Sequence, residues 1–179
     1  MWLVSLAGCQ YGKPNSANST QVLDPGSQSV PPDTVITLER TACYGRCPDY
    51  TLMISGDGTV IYDGRQYVKH VGLIRGTITK DQVNQLIKEF ERIKYSSLRD
   101  RYESVPDGCP TTATDHPWAN TSIKVNGTFK AIKHYYGCQF SEPPSRDHVP
   151  SGMGLVYPRE LVELESKIDE VVNTKQWIE

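Results

Sequence analysis

Residues 50–62 read YTLMISGDGTVIY. Apolar and polar side chains alternate through Tyr50–Ser55 and again through Thr59–Tyr62, with Gly56-Asp57-Gly58 between them. That period of two, broken by a glycine-rich turn signal, predicts an antiparallel hairpin. The fold builds outward from it. Upstream, VITLER (residues 35–40) alternates in the same way. Downstream, Asp63-Gly64 predicts a second turn, and QYVKHVGLIRGTIT (residues 66–79) predicts a longer strand kinked or bulged at Gly72 or Gly76. Connections this short make an antiparallel meander of about four strands.

A change of period marks the first helix. Thr79 and Gln82 fit a capping box, and Val83, Leu86, Ile87, Phe90 and Ile93 recur at helical spacing as a core-facing stripe. In SIKVNGTFKAIKHYY (residues 122–136), Asn126-Gly127 separates two strand-like runs, the strongest short hairpin signal. Pro158 suits a first helical position, Leu161, Leu164, Ile168 and Val171 form a second apolar stripe, and Trp177 is expected to lock that helix down. Strands and helices in separate runs predict an α+β domain, its antiparallel sheet covered by helices on one face. The expected organisation is residues 1–9 as a signal, 10–33 as a flexible tether and 34–179 as a single folded domain.

Two stretches resist assignment, ESVPDGCPTTATDHPWAN (residues 103–120) and QFSEPPSRDHVPSGMGLVY (residues 139–157). Each exceeds the ~12–15 residues at which structureless loops become uncommon, so each is expected to be functional or mobile.

The chain opens MWLVSLAGCQ, an apolar run too short for the ~20 residues of a membrane span. Leu6-Ala7-Gly8-Cys9 resembles the bacterial lipoprotein signal, in which the cysteine is acylated and becomes the new N-terminus. No Lys or Arg precedes the run, so we expect the sequence to begin within a longer signal. The tether that follows, YGKPNSANSTQVLDPGSQSVPPD (residues 11–33), is too polar to offset the entropy of ordering. About 24 flexible residues span roughly 25–30 Å, enough to lift a domain clear of lipid headgroups. Gln10 after the cysteine, where Gram-negative lipoproteins retained at the inner membrane resemble one another in carrying Asp, implies the outer membrane.

Bulk properties agree with a tethered domain. Counting the 14 Gly in place of the 10 Tyr puts the apolar fraction at roughly 39%, below the ~45–50% of globular domains. A formal charge of −2 with scattered Lys and Arg leaves no footprint for nucleic acid.

Past Cys9, four cysteines allow three pairings. In TACYGRCPDY (residues 41–50), Cys43 and Cys47 can bridge if Gly45 takes a positive φ and the loop folds tightly. Cys109 and Cys138 flank the hairpin and the long segment before it. In an exported domain both pairs read as structural disulfides. Two other readings stay open: a metal site from Cys43 and Cys47, or from Cys109, Cys138, His116 and His134, and a redox pair at Cys43 and Cys47. The spacing matches neither paired Cys-x2-Cys ligands nor a Cys-x-x-Cys redox motif, and no metal or cofactor is expected.

ITLERTACYGRCPDYTLMISGDGTVIYDG, SSLRDRY, CPTTATD, HYYGC and the terminal TKQWIE together resemble a bacterial domain-of-unknown-function family, number sixty-four thirty-eight. Its Cys-x-Gly-x-Cys-Pro-x-Tyr stretch falls on Cys43, Gly45, Cys47, Pro48 and Tyr50, and its Gly-Asp-Gly-Thr-Val hairpin on Gly56 to Val60. The resemblance covers about Val35 to the end. It implies a mostly envelope-associated domain and supplies no chemistry.

No nucleophile elbow, zinc-protease helix, P-loop or dinucleotide fingerprint occurs. His70 and His134 lie on strand-like runs and are expected to be exposed. His116 and His148, each beside an aspartate, offer a hydrolase alternative, and Cys43/Cys47 a thiol-oxidoreductase alternative. The favoured reading is non-catalytic: an envelope domain that joins a membrane through its lipid and binds a protein, peptide or glycan. Its candidate binding face is Tyr44, Arg46, Tyr50 and Trp118, since Tyr, Trp and Arg dominate binding hot spots.

Overall fold

The computed structural model describes residues 29–140 and 156–179. The predicted meander forms β1 (Val35–Arg40), β2 (Asp49–Ser55), β3 (Thr59–Gln66) and β4 (Gly72–Thr77). Helix α1 (Lys80–Arg92) follows, then β5 (Arg101–Tyr102), β6 (Thr111–Thr112), β7 (Trp118–Val125), β8 (Thr128–Tyr135) and β9 (Cys138–Gln139). Helices α2 (Arg159–Val172) and α3 (Lys175–Ile178) close the chain. The seven-stranded sheet runs β4-β3-β2-β1-β7-β8-β5, antiparallel except for the β5–β8 pair, beside a two-stranded β6-β9 sheet. The architecture is α+β.

Local chemistry accounts for the elements that were legible. Thr79 and Gln82 make the capping box reciprocally, at 3.2 and 2.9 Å. Asn126 and Gly127 turn β7 into β8 with φ of 51° and 73°, the pair of positive values a two-residue hairpin turn requires. Pro158 is the cap residue one position before α2 begins.

Asp63-Gly64 is not a turn. β3 runs straight through it, with Gly64 paired to Tyr50 on one side and Gly72 on the other. Gly64 is there for close approach, because a Cβ would run into the His70 carbonyl and the Tyr62 ring. The reversal comes later, at residues 67–71, where Tyr67 takes a φ of 54°.

Inward-pointing Ile36, Leu38, Leu52, Ile54, Val60, Tyr62 and Ile132 bury against Val83, Leu86 and Phe90 of α1 and Leu161, Leu164 and Ile168 of α2. Each fully buried side chain of this size contributes about 1.5–3 kcal/mol. Trp177 is buried over Tyr62, rings 4.9 Å apart, as the expected lock. All of this lies on one face of the sheet.

Residues 103–120 are organised, not a long loop. They contain a 3-10 turn (Val105–Asp107), β6, and the start of β7, and Cys109 reaches Cys138 with Cα atoms 5.2 Å apart in a buried disulfide. The predicted second irregular stretch lies largely outside the described residues, as do Cys9, His148 and most of the tether.

The sheet has two distinct ends. At the β1 start, Asp33 accepts from the Asn126 and Gly127 amides at 3.0 and 2.7 Å. At the other end, about 17 Å along β1, lie Arg40, Tyr50, Trp118 and Tyr135. The described chain enters at the first end, and the candidate site is at the second.

Candidate functional site

Strand phase sets the floor of the site. Arg40 continues the inward phase of Ile36 and Leu38, and Tyr50 pairs with it in register across β2. Both point beneath the sheet, where α2 passes. Arg40 donates through Nε to Asp169 Oδ2 at 2.9 Å, holds the same oxygen in an ion pair through one terminal nitrogen at 2.9 Å, and donates through the other to the Tyr136 hydroxyl at 2.9 Å. Tyr50 donates to Asp169 at 2.6 Å and Thr174 does so at 2.9 Å. Asp169 is saturated.

The chain of contacts continues inward. Tyr136 donates to Glu165 Oε2 at 2.7 Å, and Glu165 Oε1 faces His134 Nδ1 at 2.7 Å. His134 Nε2 meets the Tyr157 carbonyl at 3.0 Å. A carbonyl only accepts, so Nε2 carries a proton, and imidazole and carboxyl share another across the 2.7 Å contact. His134 and Glu165 are both 0% exposed. His134 is therefore not the exposed sheet residue the sequence suggested: it shares the inward phase with Ile132. His70 is exposed, in the β3–β4 connection and not on a strand.

Burial first, and then the Asp169 charge, pushes the Tyr50 phenol well above the ordinary phenol range. Burial and the Glu165 carboxylate do the same to Tyr136. Burial works against the Arg40 charge, but Tyr136 and Asp169 more than offset it, and the guanidinium is held firmly protonated. Neither phenol ionises to serve as a base.

Above this floor opens a cleft of about 470 Å³. The Cys43–Cys47 disulfide and Pro48 form one wall, and His116, Pro117 and Trp118 form the other. The Cα atoms of Cys43 and Cys47 are 5.6 Å apart. The bridge forms without the positive φ expected at Gly45, which is not among the glycines in that region.

Backbone contacts fasten the walls together. Thr41 donates to the Trp118 carbonyl at 3.0 Å, Trp118 donates to the Thr41 hydroxyl at 2.9 Å, and Tyr44 donates to the Asp115 carbonyl at 3.2 Å. Trp118 is steadied by the Tyr135 ring at 4.9 Å.

The structure thus brings the cysteine loop and Trp118 together, as the sequence suggested, but divides the four candidate residues by depth. Tyr44 is 91% exposed and Arg46 is exposed on the outside of the loop. Trp118 is wall. Tyr50, 1% exposed, is floor, because its strand phase carries it inward with Leu52 and Ile54.

His116 lines the cleft with its backbone amide on the Tyr135 hydroxyl at 3.3 Å, and its proposed partner His148 lies outside the described residues. All four domain cysteines are paired, and no cluster of three or more His, Cys, Asp or Glu among the described residues is placed to hold a metal.

Arg40, Glu165 and Asp169 were not assigned as a site from the sequence, and His134 entered only as a ligand in the alternative metal reading. A signal existed. Glu165 stands inside the α2 apolar stripe, and His134 stands in the inward phase of β8. Two polar residues in buried phases are expected to pair.

No helix among the described residues is long and apolar enough to cross a membrane. A family model described as a domain of unknown function (DUF6438) matches residues 34–172, and the chain belongs to that family. No curated protein matches the chain.

Proposed function

We propose that this DUF6438 member is a non-catalytic binding module of the bacterial cell envelope, anchored by lipid on Cys9 and presenting its cleft to a protein, peptide or glycan partner. One observation carries the binding reading. The cleft is walled by a disulfide, two prolines and a tryptophan, over a floor whose acids, phenols and arginine are engaged with one another. Such a floor shapes a pocket whose own acids and phenols are engaged with one another, and His116 and Asp115 in the walls are what the hydrolase alternative would use.

The envelope reading rests on Leu6-Ala7-Gly8-Cys9 and on cysteine usage. Two disulfide pairs in one small domain suit an oxidising compartment. In a Gram-negative host Gln10 directs the protein to the outer membrane. The described chain enters β1 at the end opposite the cleft.

Site-specific photocrosslinking from position 118 in the exported protein tests the binding role. Capture of one discrete envelope partner is expected, together with detergent partitioning that Cys9→Ser abolishes. Turnover of a substrate that His116→Ala eliminates would replace binding with hydrolysis.

A further inference from the structure

The seven-stranded sheet ends differently at its two sides. On the β8 side, residues 98–102 run along the edge. There β5 pairs with Lys133 and His134, the Lys133 amide donates to the Asp100 carbonyl at 3.0 Å, and Lys130 Nζ donates to the Leu98 carbonyl at 2.9 Å. On the other side, no strand among the described residues lies beyond β4.

Strand phase tells which groups that leaves open. The Ile78 amide donates to the Gly58 carbonyl at 2.8 Å, so Ile78 turns its backbone toward β3. By alternation Gly76, Ile74 and Gly72 do the same, opposite Val60, Tyr62 and Gly64. Leu73, Arg75 and Thr77 therefore turn their amides and carbonyls outward, and none of these groups has a partner among the described residues. The side chains of the same three residues are exposed. Gly76 lies on the covered face, where a Cβ would meet the Trp177 ring at 3.4 Å. Leu73 and Val71 are 76% and 72% exposed, surpassed only by Tyr44 among the large apolar side chains of the described residues. An unpaired edge flanked by apolar side chains is a template for one kind of occupant, another extended chain.

The sequence of β4 supplies such a chain. Hydrogen-bonded partners must both turn outward, so two antiparallel copies of β4 align Leu73, Arg75 and Thr77 only with one another. Arg75 against itself sets two guanidinium charges face to face, which opposes pairing. Leu73 against itself overlaps little more than residues 72–74 of the strand. Leu73 against Arg75 overlaps residues 72–76 and puts no like charges opposite each other. In that register Ile74 meets Ile74 on the covered face, and Gly72 faces Gly76.

Independently of what the cleft binds, we propose that the β4 edge is a self-association surface, on which a second copy of this chain adds its own β4 antiparallel, with Leu73 opposite Arg75. The contact is isologous and its two-fold axis runs normal to the sheet, so both chain entries stand equivalently toward a membrane lying parallel to the sheet. Arg75 does not block the approach, because its side chain stands on the uncovered face and its stem lies along Leu73 of the other copy. An edge this short buries less than the ~1,200 Å² of a standard interface, so the pair forms reversibly and with concentration.

Sedimentation equilibrium of the full chain in density-matched detergent tests this, and should show monomer and dimer in a ratio that shifts with concentration. Leu73→Arg places an arginine opposite Arg75 at two symmetric positions and should weaken the dimer about tenfold. Adding Arg75→Glu should restore it, a rescue that neither of the other registers gives. Both positions are exposed, so thermal melts of the two variants should match the parent. A photocrosslinker at position 73 should join residue 75 of a second copy. A chain that stays monomeric overturns the proposal, as does a dimer that Leu73→Arg leaves unchanged. A crosslink from position 73 to a different protein gives the edge to a foreign strand and overturns the second copy. Capture from position 118 reads the cleft alone, so failure of either proposal leaves the other standing.

Discussion

Arg40 precedes the Cys43–Cys47 loop and Arg46 lies inside it, yet they occupy opposite electrostatic surroundings. Arg40 is tied to Asp169 and Tyr136 and continues through Glu165 to a fully buried His134. Arg46 stands in solvent without an ion pair among the described residues. The floor is compensated and holds the sheet to α2. The rim takes no part in that network. Stability and recognition therefore rest on different residues, and changes in the two regions should separate them.

The largest effect is expected in the floor. Glu165→Ala removes the acceptor of both His134 and Tyr136 inside a dry interior, leaving a buried imidazole without its partner. Breaking one partner of such a pair costs about 3–5 kcal/mol. Urea denaturation should show that loss, and a change under about 1 kcal/mol would mean that water reaches the seam and that floor and rim are alike.

The two disulfides sharpen the same contrast. Cys109–Cys138 is buried and closes a loop with a sequence separation of 29, for which chain entropy gives about 3–4 kcal/mol. Cys43–Cys47 closes a separation of only 4, worth about 2 kcal/mol. Replacing each pair with alanine should reproduce that order by denaturation, while partner capture suffers more from the smaller loss, since that bridge is a wall of the cleft. Peptide mapping without reductant should recover both pairs. Reactive thiols at 43 and 47 would instead revive the oxidoreductase alternative.

Alkaline titration gives a smaller and graded effect. Tyr50, Tyr95 and Tyr136 are all held above their ordinary value of 10.0, by burial in the first place. The folded protein keeps protons that the unfolded chain releases, so this contribution is intact below about pH 10 and declines above it. The slope is up to about 1.4 kcal/mol per pH unit for each phenol. Tyr136→Phe should make the fall shallower. An unchanged slope would show that Tyr136 contributes nothing to it.

These floor residues also mark where sequence reading stopped. Turns, caps and stripes are local, so Asn126-Gly127, the Thr79–Gln82 box and the α2 stripe were legible from neighbours alone. Insertion of the β7–β8 hairpin beside β1 was not, because strand order depends on contacts between residues far apart in the chain, such as Thr37 with Ser122 at 2.6 Å. Asp63-Gly64 looked like a turn because glycine serves both reversal and close packing. Tyr50 looked like surface because a tyrosine's hydrogen-bonding needs can be met inside, here by an aspartate on a distant helix.

The smallest effect on stability belongs to Arg46→Ala, and it bears most directly on function. Arg46 is exposed and makes no hydrogen bond or ion pair among the described residues, so its loss should shift unfolding by less than about 0.5 kcal/mol. Recognition should respond differently. The Cys43–Cys47 bridge, Pro48 and the Tyr44–Asp115 backbone contact hold the loop in one shape, which lowers the entropy lost when a partner docks. The alternative is that the loop only connects β1 to β2 and Arg46 does nothing. Thermal melts alone do not distinguish the two, because both predict silence. Partner capture does. A variant that melts like the parent but no longer retains the crosslinked partner assigns Arg46 to recognition. A variant that melts and captures like the parent moves the binding surface off this loop, and with it the claim that the rim is where the molecule acts.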